Sequence, residues 1–166
     1  MERVIVIGSP GAGKSTFARK LREKTGLPLY HLDLFWHKPD RTTVTREEFD
    51  AQLKELLKED RWIMDGNFQR TLAMRLEACD TVFLLDLPLE VCLSGAESRI
   101  GQKRADMPWV EDEFAPEFRQ WIVDFPQNKL PQIYQLLEHC PAGKTVIIFK
   151  SREEINSYLN SENRLF

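Results

Sequence analysis

Residues 4–16 read Val4-Ile5-Val6-Ile7-Gly8-Ser9-Pro10-Gly11-Ala12-Gly13-Lys14-Ser15-Thr16, and the reading of this stretch decides the fold. Four apolar, β-favouring residues in a row suit a strand covered on both faces, and the small residues after them turn the chain into a helix. Gly8 to Ser15 satisfies the pattern G-x-x-x-x-G-K-[ST]. Glycines at those positions let the backbone curl so that successive N–H groups converge on an anion at the positive end of a helix. Lys14 is then placed to reach the β- and γ-phosphates of a nucleoside triphosphate, and the Ser15 hydroxyl to ligate Mg²⁺. The binding set expected from the loop is Gly8, Ser9, Pro10, Gly11, Ala12, Gly13, Lys14, Ser15 and Thr16, with ATP and Mg²⁺ as the cofactors. A chance glycine-rich turn is the bland alternative. The strand before the loop and the helical face Phe17, Ala18 and Leu21 after it, closing at Gly26-Leu27-Pro28, argue against that.

Outward from the loop the chain alternates apolar runs with amphipathic ones. Leu29 to Asp33 reads as a second strand ending on a carboxylate. Thr45-Arg46-Glu47-Glu48 has capping-box spacing, and Phe49, Leu53, Leu56 and Leu57 continue a helix over about 45–59. Trp62-Ile63-Met64 reads as a third strand ending at Asp65-Gly66-Asn67, with Phe68, Leu72 and Leu76 at helical spacing behind it. Thr81 to Leu87 is a fourth strand closed by Pro88, and a helix is expected from there to about Gly101. A charged, irregular stretch follows, then helix interrupted at Pro126 and Pro131. Thr145 to Phe149 is a fifth strand, and Ser151-Arg152-Glu153-Glu154 caps a last helix. Strands linked by helical crossovers give an α/β fold, a doubly wound parallel sheet in a single domain over 1–166.

Composition narrows the classes of function. The chain has 166 residues, 42% of them hydrophobic, and no apolar run long enough to cross a bilayer. Met1-Glu2-Arg3 leads straight into a short strand with no leader-like apolar region, so a cytoplasmic address without membrane partners is expected. The formal net charge of −3 does not supply the overall basic field that nucleic-acid binding favours. Cys79, Cys92 and Cys140 are scattered and read as buried free thiols, and His31, His37 and His139 show no zinc spacing.

Phosphoryl chemistry needs carboxylates for the metal and cations for the charge spread over the moving group. Asp65, Asp33 and Asp86 each close an apolar run and are metal-ligand candidates; Asp65 stands out because Gly66 beside it permits close approach to a ligand. A strand-end Asp that merely caps the next helix is the alternative for each. Arg99, Lys103 and Arg104 cluster in the irregular stretch and are candidates for a lid over the phosphates, the alternative being a solvated helix end. Arg41, Arg70 and Arg75 are candidates for gripping an acceptor. Trp36 is read either as a stacking platform or as a core plug, Trp109 and Trp121 as packing residues, and Glu111-Asp112-Glu113 through Glu117 as a solvated face.

The segments GSPGAGKST, LPLYHLDLFW, RWIMDGNFQRTLAMRLEACDTVFLLDLP and the R-x-x-x-x-R of Arg99 and Arg104 before Ala105-Asp106-Met107 together resemble the adenylate-kinase-like P-loop proteins labelled DNA topology modulation proteins. The resemblance covers nearly the whole chain. It implies the fold of nucleoside monophosphate kinases: a five-stranded parallel sheet with an acceptor-binding segment at about 34–60 and a lid at about 99–118. Asp65-Gly66 matches those kinases' Asp-Gly, Arg70 lies where they carry an acceptor-binding arginine, and Arg99 where they carry a lid arginine. His31-Leu32-Asp33 departs from their threonine-glycine-aspartate run and looks more like shikimate or gluconate kinases, in which a carboxylate orients an acceptor hydroxyl and takes its proton. The expectation is an ATP-dependent kinase acting on a small nucleotide or metabolite, with Lys14, Arg99, Asp33 and Arg104 catalytic. Asp33, Trp36, Gly66 and Arg70 would face the acceptor, with Ser15 and Asp65 at the metal. The rival reading is a nucleotide-dependent nucleic-acid-binding regulator.

Overall fold

The computed structural model describes residues 1–161. β1 (Arg3–Gly8), β2 (Leu29–His31), β3 (Trp62–Asp65), β4 (Thr81–Leu85) and β5 (Thr145–Phe149) form one five-stranded sheet in the order β2-β3-β1-β4-β5. Every neighbouring pair is parallel, with Val4 opposite Ile63 on one side and Thr81 on the other. The first strand is thus central, and the chain builds to one side of it before crossing to the other. That reversal is the topological switch point of an open α/β sheet, where ligands bind beyond the carboxyl ends of the strands.

Alternation on the strands explains why both faces are covered. Val4 and Val6 of β1 join Phe83 and Leu85 of β4 in one buried cluster, while Ile5 and Ile7 join Val82 and Leu84 in the other. The first cluster is roofed by α1 (Lys14–Thr25), α5 (Leu89–Glu97) and α8 (Arg152–Asn160), through residues such as Phe17, Ala96 and Ile155. The second is roofed by α3 (Arg46–Leu56), α4 (Leu72–Ala78) and α7 (Leu130–Glu138), through Phe49, Leu72 and Ile133. α6 (Pro116–Asn128) serves both, with Ile122 on one side and Phe125 on the other. Among the described residues no helix is long and apolar enough to cross a membrane.

Several local expectations need correction. β2 stops at His31, and Asp33 sits in the five-residue helix α2 (Leu32–Trp36). A strand that short frees Asp33 from the ladder and lets α2 swing its carboxyl towards the phosphate loop. The helix behind Asp65-Gly66-Asn67 begins as a 3₁₀ turn at Gln69–Thr71, because Phe68 before it is left-handed at φ 33°. α5 ends at Glu97 and not at Gly101. Pro126 lies inside α6 without ending it, whereas Pro131 stands in the first turn of α7, where its missing N–H costs nothing. The Thr45 capping box is present, with Thr45 and Glu48 bonding each other's backbone N–H. Cys79 and Cys92 are buried and Cys140 partly so, all three as free thiols.

Candidate active site

The loop between β1 and α1 is held by packing at two points where no side chain fits. Gly11 has φ 80°, and a Cβ there would lie 2.0 Å from the Cys92 carbonyl oxygen of α5. Gly95, one turn further along α5, is the reciprocal contact: its Cβ would lie 2.2 Å from the Gly11 carbonyl oxygen. The loop and α5 are therefore in backbone-to-backbone contact. Ser9 N–H donates to the Leu85 carbonyl at 3.2 Å, tying the loop to β4. Lys14 Nζ folds back and donates to the Gly8 and Ser9 carbonyls at 2.9 and 3.1 Å. Its ammonium has no carboxylate bonded to it, and burial followed by the charge of Arg99 lowers its pKa to about 8.

Asn67 clamps the start of the loop. Its side chain accepts from Gly8 N–H at 3.0 Å and donates to the Gly8 carbonyl at 2.8 Å. Arg75 fixes Asn67 from below: it is wholly buried and donates to the carbonyls of Gly66, Asn67 and Phe68. Arg75, a sequence candidate for gripping an acceptor, is instead the strut of the Gly66–Phe68 turn, and burial lowers its pKa to about 10. Asp65 is buried with both carboxylate oxygens 3.0 Å from His31 Nδ1. Burial opposes charge on His31, but the hydrogen bond and charge of Asp65 outweigh it and raise the His31 pKa. Asp86, the third metal candidate, is taken out of the site by Tyr134 Oη at 2.6 Å and by Lys150 Nζ.

The charged stretch does reach the loop. Ser15 Oγ donates to Asp106 Oδ2 at 2.8 Å, and Arg104 grips the same carboxylate through Nε and Nη2 at 3.1 and 2.8 Å. Arg104 Nη1 also reaches Glu111 at 3.3 Å, so Glu111 is part of the site and not of a solvated face. Arg104 and Ser15 hold the Asp106 carboxyl far below the ordinary carboxylate range despite its burial. Arg99 lies close enough to Lys14 for their charges to interact, and its buried Nε has no hydrogen-bond partner. Arg99 is half-buried, with Asp106, Glu111 and Asp33 in electrostatic range, and its unbonded Nε beside an anion-binding loop can take a negatively charged ligand. Lys103 is exposed.

On the acceptor side, Asp33 is within electrostatic range of Lys14, Asp65, Asp106 and Arg104, and 3.9 Å from His37 Nε2. Water still reaches 38% of its side chain at the mouth of the site. Enclosure by protein, followed by repulsion from Asp65, raises its pKa to about 6. Trp36 meets Phe49 and Phe68 edge-on at 5.7 and 6.2 Å, and the three line a cavity of about 200 Å³ with Arg46, Gln69, Arg70 and Thr71. Arg70 stands on that rim with its guanidinium engaged by both oxygens of Asp50, at 2.8 and 2.6 Å. Gly66 packs beneath, against Leu32 and Phe68. The 99–118 stretch closes over the 34–60 stretch: Trp109 meets His37 edge-on at 5.1 Å, Arg41 lies 5.8 Å from the Trp109 ring centroid, and Arg41 reaches Asp112 at 3.4 Å. Arg41 thus joins the two segments. Trp121, expected to pack, is 46% exposed.

The structure therefore brings Gly8 to Ser15, Asp33, Asp65, Arg99 and Arg104 to one cleft, and leaves Asp86 and Arg75 outside it. Thr16 is exposed and takes a hydrogen bond from Arg19. Sequence reading missed Asp106, Asn67 and Gly95, together with Arg152, whose guanidinium lies 3.2 Å from where a Gly13 Cβ would stand. The spacing Arg104-Ala105-Asp106 and the Asn in Asp65-Gly66-Asn67 were the available signals. The donor set suits Mg²⁺: the Ser15 hydroxyl and nearby carboxylates are hard oxygen ligands, and Mg²⁺ commonly takes one or two carboxylates beside phosphate oxygens and water. Ser15 and Asp65 would hold it, and it would supply charge neutralisation at the phosphates.

No family model matches the chain. It is similar to the adenylate kinase of Thermotoga neapolitana, with 31% identity over 91 residues that make up 52% of this chain and 39% of that protein. The chain thus spans less than half the length of the curated relatives it first matches. Among solved structures it is similar to a shikimate kinase from Bacteroides thetaiotaomicron, with a TM-score of 0.61 at 18% identity over 95% of this chain and 94% of that one. A shikimate kinase from Acinetobacter baumannii, solved with shikimate, gives a TM-score of 0.59 at 17% identity over 96% and 92% of the two chains. At such identities the likeness shows the fold alone, a five-stranded parallel sheet flanked by helices, shared with these shikimate kinases.

Proposed function

We propose that this chain is a phosphotransferase that moves the γ-phosphoryl group of Mg-ATP to a hydroxyl of a small-molecule acceptor. The observation that carries this reading is Asp33, a partly enclosed carboxyl at the mouth of the phosphate loop, with a pKa raised to about 6. A phosphate acceptor is already ionised near neutral pH and needs no base, whereas a hydroxyl does. Asp65 and Asp106 lie within electrostatic range of Asp33, as do Lys14 and Arg104, so the base stands where carboxylates and cations meet. The likeness to adenylate kinases supports the donor, and the likeness to shikimate kinases supports the acceptor.

In the reaction so proposed, the loop amides and Lys14 hold the donor phosphates, and Arg99 meets the charge that builds on the transferring group. Asp33 takes the hydroxyl proton as the acceptor oxygen forms its bond to the γ-phosphorus. The bond from that phosphorus to the bridging oxygen breaks, ADP leaves, and Asp33 returns the proton to solvent. Arg104 is committed to Asp106 and Glu111 in this arrangement and joins the phosphates only if it exchanges partners.

ADP production from Mg-ATP, with and without a panel of hydroxylated metabolites and nucleotides, tests the proposal. Stimulation by an acceptor, lost in Lys14→Ala and in Asp33→Asn, is the expected result. Nucleotide binding with no stimulation by any acceptor would overturn it. Together with DNA affinity that falls steeply with salt, that result would favour the nucleotide-switched regulator implied by the resemblance to DNA topology modulation proteins.

A further inference from the structure

At the end of α2 lies a small cavity whose chemistry is unlike that of the phosphate loop. Trp36, Phe49 and Phe68 are gathered with ring centroids 4.8–6.2 Å apart and wall a cavity of about 200 Å³. Whole small ligands generally occupy roughly 300–1,000 Å³. This space therefore suits one planar ring system and leaves the rest of a ligand outside. Phe68 is brought to the wall by a left-handed backbone at φ 33°, a conformation a bulky residue rarely adopts, and the Arg75 guanidinium stabilises it by bonding the Phe68 carbonyl. The ring is thus presented at a conformational cost, which pure core filling does not require.

Asp33 and Trp36 lie three residues apart on α2, which sets their Cβ atoms about 5–6 Å apart on one helix face. A ligand whose ring enters the aromatic cavity therefore has its next few ångströms of structure at Asp33. The cavity's rim carries two cations, Arg70, engaged by both oxygens of Asp50, and the exposed Arg46. The transfer end offers Asp33, the base that an acceptor hydroxyl needs and an ionised phosphate does not.

We infer that the acceptor is a nucleoside, its base held by the partly buried Trp36 and Phe68 over the core residue Phe49 and its sugar hydroxyl presented to Asp33. The inference rests on the phosphotransferase reading above and narrows its acceptor to a molecule joining a flat ring to a hydroxyl.

The experiment measures ADP production by the intact protein from Mg-ATP with adenosine, guanosine, cytidine, uridine or thymidine, against AMP and CMP and against shikimate and gluconate. Nucleotide binding is followed in parallel by calorimetry. The expected result is stimulation by one or more nucleosides well above every other probe. Trp36→Leu should raise the KM for that nucleoside at least tenfold with the KM for ATP unchanged, and Trp36→Phe should restore most of the loss. Preferential stimulation by AMP or CMP, or by shikimate or gluconate, overturns the nucleoside assignment while leaving phosphoryl transfer standing. A Trp36→Leu variant that binds ATP normally and keeps the nucleoside KM overturns the placement of the ring. Binding of Mg-ATP with no stimulation by any probe overturns the phosphotransferase reading and this inference together.

Discussion

Asp33 shows how a single carboxyl trades stability for chemistry. Its pKa, raised from 3.8 to about 6 by enclosure and by Asp65 and Asp106, is only partly offset by Lys14 and Arg104. Below pH 6 the base is protonated, so turnover should fall about tenfold per pH unit there, and a pH–rate profile should lose that limb when acceptors with already ionised groups are used. The sign for stability is opposite. Between about pH 4 and 6 the folded state holds the proton more tightly than the unfolded chain, so stability falls as pH rises through that window. Asp33→Asn removes the cost at pH 7. With solvent reaching over a third of the side chain, the gain is on the order of 1 kcal/mol, or about 2–4 °C in Tm, with turnover lost. Arg99 makes the same trade. Its buried Nε has no partner, so Arg99→Ala should leave thermal stability unchanged or raised while lowering kcat roughly 10²–10³-fold, a split that a scanning calorimeter and a rate assay separate.

At the scale of elements, α5 is a wall built to touch the phosphate loop. Glycine inside a helix ordinarily costs about 1 kcal/mol relative to alanine, so Gly→Ala in a helix usually stabilises. Gly95→Ala should do the reverse, because its new methyl would stand 2.2 Å from the Gly11 carbonyl oxygen. The loop must shift off α5, and ATP affinity should fall at least tenfold by calorimetry, with helix content unchanged by circular dichroism. The β3–α4 turn is the second such device. There Asn67 holds Gly8, Arg75 holds Asn67, and Phe68 faces the aromatic cavity, so one turn bonds the donor loop and walls the acceptor side. The short strand β2 belongs with them, since its early end is what allows α2 to carry Asp33 and Trp36 together.

For the whole molecule, the central position of β1 converges the ends of β3 and β4 on one loop, and the 99–118 stretch bridges back to the 34–60 stretch through Trp109, His37 and Arg41. Mg-ATP bound across this convergence should stabilise the fold as one unit. At a hundredfold excess over Kd the gain is about 2.7 kcal/mol, or roughly 5–11 °C in Tm for a chain of this size, and Lys14→Ala should abolish the shift.

The sequence by itself determined the phosphate loop, the strands and the helices with clean periodicity, because each depends on residues adjacent in the chain: a glycine's φ, a cap three residues from its partner, an apolar face. It also offered Asp65 as a strand-end carboxylate, and β3 does end on Asp65. The tertiary structure alone decided which charges face one another. Asp106 meets Ser15 across 91 residues of chain, and Asn67 meets Gly8 across 59. Arg75 and Asp86 look in sequence like free site groups, yet their burial and their partners, Phe68 and Lys150 among them, remove them from the cleft. Local pattern carries backbone geometry, but whether a charge is spent on a neighbour or left for a ligand depends on what folding brings beside it.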